Sequence, residues 1–203
     1  MEAKCKEAYQ SFLDIVKTDF TAFIDQLDEG GIEDAADLIL ESRAKGGRVH
    51  ISGIGKPGHI AGYIASLMSS TGTPAYFLHG TEAVHGSCGQ LVPGDVVIFI
   101  SNSGETAEMR ATVTAIKNNG CYVIGVTRNP ESWLAKESAV HITAGIPREG
   151  GPLNRAPRMS ILAETLALQA LSVMLQAHHD ITPQQYVKWH PGGSLGKLRD
   201  SEK

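Results

Sequence analysis

Val96-Val-Ile-Phe-Ile100, running straight into Ser101-Asn-Ser-Gly-Glu-Thr106, decides the fold. Five consecutive apolar residues, most of them β-branched, predict a strand buried on both faces, the mark of a parallel sheet. The small hydroxyl-rich cluster then turns the chain, and a helix is predicted over 105–118. A strand entering a helix through such a turn can hold a phosphate. Backbone N–H groups at the helix N-terminus point at the anion, the dipole favours it, and Ser101, Ser103 and Thr106 add hydroxyl donors. A simple cap by Ser103 is the plainer reading, but three hydroxyls in six residues behind a buried strand favour the phosphate.

Working outward, the same alternation recurs. Strands are predicted at 49–51, 74–78, 122–126 and 139–142, with helices at 60–68, 132–136 and 160–176. Strands alternating with helices specify a doubly wound α/β fold: a parallel five-stranded sheet flanked by helices. Two helices precede it. Phe12, Val16, Phe20, Phe23 and Leu27 form one apolar stripe, Gly30-Gly31 is expected to break that helix, and a second runs over 32–44 to Gly46-Gly47. The expectation is one domain over 1–203, with 1–46 a helical extension and 47–203 the core.

The 203 residues suffice for a full hydrophobic core. A net charge of -4 gives a nucleic-acid partner no bulk support. Cys5, Cys88 and Cys121 form no CxxC pair, which points away from a disulfide framework or zinc ribbon and toward a reducing compartment. No run resembles a signal peptide or a bilayer span, so a soluble, cytoplasmic protein without membrane partners is expected.

Gly53-Ile-Gly-Lys-Pro-Gly58 fits G-x-G-x-x-G, but a dinucleotide fold needs an acid at the end of the second strand. That strand ends Phe77-Leu-His-Gly80, and Glu82 lies beyond it. The nicotinamide reading is rejected. The turn is read instead as bringing Lys56 into the same crevice as the Ser-rich loop.

Six segments carry a family resemblance: Gly53-Ile-Gly-Lys-Pro-Gly-His59, Ser70-Thr-Gly-Thr-Pro74, Glu82-Ala-Val-His-Gly86, Ser101–Thr106, Pro152-Leu-Asn-Arg-Ala-Pro157 and His190-Pro-Gly-Gly-Ser-Leu-Gly196. With them the chain resembles a sugar isomerase (SIS) domain, and within that group the arabinose 5-phosphate isomerases. The resemblance implies reversible aldose–ketose isomerisation, D-arabinose 5-phosphate with D-ribulose 5-phosphate, through an enediol and with no cofactor. It implies Lys56, His85, Glu105, Glu149 and His190 as working residues, with Gly55, Ser101, Asn102, Ser103, Thr106, Arg158 and Ser160 binding the substrate. In that set Glu149 is the proton-transfer base, His190 handles ring opening and oxygen protons, Lys56 stabilises negative charge, and Glu105 orients or shares the acid–base work. A homotetramer is implied, with the Phe12–Leu27 stripe buried between subunits.

Each residue also has a plainer role. Glu105 would favour a helix dipole, Glu149 would be solvated in a Gly/Pro-rich loop, and His190 would be a turn residue. Trp133 and Trp189 read as packing or lid residues. His79, Glu82 and His85 could form an inhibitory metal site, but no metal is required, since the spacing is not H-E-x-x-H. Arg158 and Met159 interrupt a run of small hydroxyls usual in the family, and Ser87 replaces a carboxylate. Many relatives continue into a pair of CBS domains; with Lys203 as the last residue, regulation through such modules is not expected. Two alternatives stand beside this reading: a sugar-phosphate sensor without catalysis, and an isomerase of a hexulose or heptose phosphate with a pocket altered near Arg158 and Tyr186.

Overall fold

Five parallel strands form one sheet in the order β2-β1-β3-β4-β5: β1 (Val49–Gly53), β2 (Ala75–Phe77), β3 (Val96–Ile100), β4 (Tyr122–Thr127) and β5 (Val140–Thr143). The structure is a computed structural model that describes residues 2–203. β3 is the centre. Val96 sits opposite Val49 and Tyr122, Ile100 opposite Gly53 and Val126, and all five β3 residues are fully buried. Because side chains alternate along a strand, Val96, Ile98 and Ile100 enter one core while Val97 and Phe99 enter the other.

Helices cover both faces. α3 (Glu29–Ala44), α4 (Lys56–Ser70) and α7 (Met159–His178) pack on the first core, and α5 (Ala107–Asn118) and α6 (Trp133–Glu137) on the second. Strand order reverses between β1 and β3, so the crevice outside their carboxyl ends is the place where open α/β sheets bind ligands. At the amino edge, Asp95 ties β3 to β1. It accepts from the backbone N–H groups of Arg48 (2.8 Å) and Val92 (2.9 Å), pairs with the Arg48 guanidinium and lies 3.0 Å from Nε2 of buried His50. Burial opposes its charge, yet these donors together hold its carboxyl below the ordinary range.

The N-terminal helices differ from expectation. α1 (Ala3–Ile15), a π-helical turn (Val16–Phe20) and α2 (Thr21–Asp25) run on from one another, and the break falls near Asp28, not at Gly30-Gly31. Asp28 caps α3 by accepting from the Gly31 N–H at 3.0 Å, so both glycines lie inside its first turn. Gly31 serves close approach: a Cβ there would stand 2.7 Å from the His141 carbonyl oxygen. The apolar stripe packs on its own chain, with Phe12, Val16, Phe20 and Phe23 against Ile146, Met159 and Ala163. These stripe residues remain only partly buried within the chain.

Two further elements depart from the sequence reading. α8 (Pro183–Trp189) was not expected, although Thr182 and Gln185 form a capping box before it. α7 has the length and the mean hydropathy, 1.3, of a bilayer span, contrary to expectation, but half of that window is buried, as in a core helix.

Candidate active site

In a parallel sheet every helix that follows a strand starts at the carboxyl edge, so α4, α5 and α7 all aim their N-termini there. β1 runs two residues past the expected Ile51, and Gly53 then lets the loop fold against α4. A Cβ on Gly53 would meet the Pro57 backbone at 2.8 Å, and one on Gly58 would meet the Gly53 carbonyl at 2.8 Å. Gly55 takes φ +67° as the N-cap of α4, a conformation suited to glycine. Lys56 follows as the first helical residue. It is exposed and has no ion-pair partner among the described residues. A cavity of about 300 Å³ opens beside this turn, lined by Gly53, Ile54, Gly55, His59, Phe77 and His79 among others.

The Ser-rich loop is pinned from behind. Ser101 Oγ accepts from the Gly104 N–H (3.2 Å), Ser103 Oγ accepts from the Glu105 N–H (3.3 Å), and the Asn102 carbonyl accepts from the Arg128 N–H (3.1 Å). Both serine hydroxyls therefore act as acceptors inside the loop and keep their protons for an anion. α5 begins at Ala107, not Glu105, with Thr106 as an N-cap whose side chain makes no capping hydrogen bond. The first N–H groups of α5 thus remain without a side-chain cap. Glu105 does not lie in that first turn. Its carboxylate accepts from the Trp133 N–H at 2.9 Å and pairs with Arg110, which also lies over the Trp133 ring. The Trp133 N–H, with the Arg110 and Lys136 charges, holds the Glu105 carboxyl below its ordinary range.

Glu149 meets the N-terminus of α7. Its Oε2 accepts from the backbone N–H of Arg158 (2.6 Å) and of Ser160 (3.2 Å), while its own N–H donates to Asn154 Oδ1 at 2.6 Å. Glu149, Arg158 and Ser160 are therefore brought together, and Glu149 is not simply solvated. The Arg158 guanidinium folds back toward the Ala156 carbonyl. The neighbouring Arg148 clasps Asp19 of the π turn through Nε (2.7 Å) and a second nitrogen (2.9 Å), which fixes the loop carrying Glu149 to the N-terminal helices.

His85 closes an exposed 3-10 turn (Glu82–His85) in the β2–β3 connection. His79, Glu82 and His85 do not assemble a metal site: no group of three or more potential ligands converges among the described residues. His79 Nδ1 instead accepts from the Glu82 N–H at 3.3 Å. His190 is placed elsewhere. It stacks on Tyr186 at 4.0 Å, its Nδ1 donates to the Tyr186 carbonyl, and Tyr186 shares a cavity with Thr71 and Gln176 at the far ends of α4 and α7. Since α4 spans fifteen residues, roughly 20 Å of helix separates that end from Lys56. One chain alone does not unite His190 with Lys56, Glu105 and Glu149.

Sequence reasoning missed Ser52 and Glu164. Among the described residues the buried side-chain oxygens without a partner are Ser52 Oγ, Asn102 Oδ1 and both oxygens of Glu164. Ser52 is near the end of β1, Asn102 just past β3 and Glu164 early in α7, so all three lie toward the carboxyl edge. Buried polar atoms without partners are uncommon, and their placement toward one end of the sheet adds these three residues to the candidate site.

A 2-1-3-4-5 parallel sheet with an open phosphate-type cradle at its switch point defines an α/β ligand-binding domain. Residues 43–174 match the SIS domain family, and the chain belongs to it. Arabinose 5-phosphate isomerase KdsD of Pseudomonas aeruginosa is 40% identical over 163 residues, covering 80% of this chain and 49% of that protein. Arabinose 5-phosphate isomerase KpsF of Escherichia coli O6:H1 is 37% identical over 172 residues, covering 85% and 52%. The chain spans about half the length of the curated relatives it matches. A solved structure from E. coli CFT073, in complex with arabinose 5-phosphate, superposes with a TM-score of 0.81 at 33% identity, covering 94% of this chain and all of that one.

Proposed function

We propose that this protein interconverts an aldose and a ketose phosphate, D-arabinose 5-phosphate and D-ribulose 5-phosphate. The observation that carries the proposal is the meeting of two helix N-termini at one sheet edge, that of α5 without a side-chain cap and that of α7 held by Glu149. The N-terminus of α5, with free protons on Ser101 and Ser103, suits a phosphate dianion, and the N-terminus of α7 presents the Glu149 carboxylate. The named relatives supply the sugar.

In the proposed reaction Glu149 removes the C2 proton of the open-chain aldose, and the electron pair moves to give an enediolate. The Glu149 carboxyl, whose proton exchanges with solvent, then protonates C1 while a proton passes between O1 and O2, which leaves the ketose. Lys56, at the start of α4, is the cation suited to the developing oxyanion. Asn102 and Thr106 line the phosphate loop, and Arg158 reaches over the Gly151–Ala156 turn as a bidentate partner for an anion. Glu105 holds that loop to α6.

His190 belongs to the proposed set only if a second copy delivers it, so the working form is a homo-oligomer, a tetramer by analogy with the family. Leu162, Val173 and Tyr63 leave apolar surface on the outside of α7 and α4. We infer a single domain working in the cytoplasm, where the free thiols of Cys5, Cys88 and Cys121 would stay reduced.

Proton NMR of D-arabinose 5-phosphate with the protein in D2O, chelator present, tests this. Ribulose 5-phosphate with deuterium at the exchanged carbon is expected, and Glu149→Gln should remove nearly all turnover. Phosphate-dependent binding without exchange would favour another sugar phosphate or a sensor; no binding would sink the cradle itself.

A further inference from the structure

Glu164 is the one Asp, Glu, Lys or Arg in the twenty residues of α7. It is fully buried, and neither carboxyl oxygen has a hydrogen-bond partner. Its helical neighbours Ala163 and Ala167 belong to the apolar clusters on either side. Side chains on a helix lean toward its N-terminus, so Glu164 reaches back over the turn of Ser160, four residues earlier. The Ser160 N–H is one of the two that hold the Glu149 carboxylate. Two carboxyls thus share the opening turns of one helix, Glu149 from the loop outside and Glu164 from beneath.

We propose that Glu164 is a positioning residue of the isomerase site: buried and protonated, it leaves Glu149 as the single negative charge at the N-terminus of α7, and loss of its proton would set a second negative charge against the phosphate dianion and the enediolate. The inference rests on the isomerase reading above. Burial, and after it the Glu149 charge, pushes the Glu164 carboxyl up to about 8. Beyond burial, the Glu149 carboxylate is the charge that raises it. From the π turn, Asp19 is paired with Arg148. From α4, Lys56 and His59 sit in the first turn, and α3 buries only Ile32, Ala35, Ala36, Ile39 and Ser42. A pair of acids whose surroundings drive their protonation apart is how sites divide acid from base.

Two measurements test the role. In protein labelled with carboxyl-13C glutamate, the Glu164 resonance, assigned by its loss in Glu164→Gln, is expected to titrate near pH 8 and to move to lower pH in Glu149→Gln. A midpoint in the ordinary carboxylate range, or one indifferent to Glu149→Gln, overturns the proposal. The pH profile for D-arabinose 5-phosphate should then fall about tenfold per pH unit above that midpoint, with KM rising as kcat drops. Glu164→Gln, which cannot ionise, should move this limb upward by at least about one pH unit, whereas Glu164→Asp should keep it. An alkaline limb unchanged in Glu164→Gln overturns the role. Absence of turnover in the wild type beside an intact coupled titration overturns the isomerase reading and this role with it; turnover with an uncoupled titration overturns the role alone.

Discussion

Ser101 and Ser103 spend their lone pairs on the Gly104 and Glu105 N–H groups, and that leaves their hydroxyl protons as the cradle's donors. Removing either should weaken binding of a phosphate ester roughly tenfold or more, since a hydrogen bond to a charged group is worth about 1.5–3 kcal/mol. Isothermal titration with inorganic phosphate on Ser101→Ala and Ser103→Ala checks this without any turnover. Glu164 makes a different demand. Its folded-state pKa, about 8, stands above the reference value of 4.5, so the folded chain holds the proton more tightly than the unfolded one. The resulting stability is complete below about pH 4.5 and drains away as pH rises toward 8, on the order of 4–5 kcal/mol in all. Thermal melts should therefore show Tm falling across that window in the wild type and a flatter profile in Glu164→Gln. The Ser-rich turn behind β3 was legible in the sequence because three hydroxyls crowd one turn after a buried strand. Glu164 was not, because an acid inside an apolar helical run reads as a solvated interruption until its zero exposure is seen.

At the scale of elements, β3 carries the fold. Phe99 is fully buried beneath α5 and is among the largest such side chains. Phe99→Ala should cost about 3–5 kcal/mol, read as a lower denaturation midpoint with an unchanged slope. The five strands and the two-faced cover were readable because apolar runs and turn residues mark them. Ends were less so. Glu105 looked like a first-turn acid, yet Thr106 takes the N-cap and Glu105 turns sideways to cap α6 at Trp133, a tertiary partner that no local pattern encodes. α8 was missed although its Thr182-Pro-Gln-Gln185 opening carries a capping box, because its short run has no apolar period to draw attention.

For the whole molecule, the position of His190 decides how the chain can act. The motif was legible in the sequence, but its place at the far end of α4 was not, because sequence order does not say which end of a helix a distant segment reaches. A sharp expectation follows from the shared-site reading. Glu149→Gln and His190→Ala, each inactive by itself, should regain part of the activity when unfolded together and refolded as a mixture. Mixtures that stay inactive would return His190 to the role of a turn residue stacked on Tyr186.

Asp28 has a second use beyond capping α3. Its other carboxylate oxygen accepts from the Thr143 N–H at 2.7 Å, on the outer side of β5, where no further strand pairs among the described residues. An unpaired outer strand offers its backbone to any extended peptide that drifts past, and chains so exposed stick to one another. One aspartate, with the start of α3 laid against the His141 carbonyl, closes that border. The N-terminal helices are thus less an appendage than a selvedge, the finished margin that keeps the sheet from fraying into its neighbours.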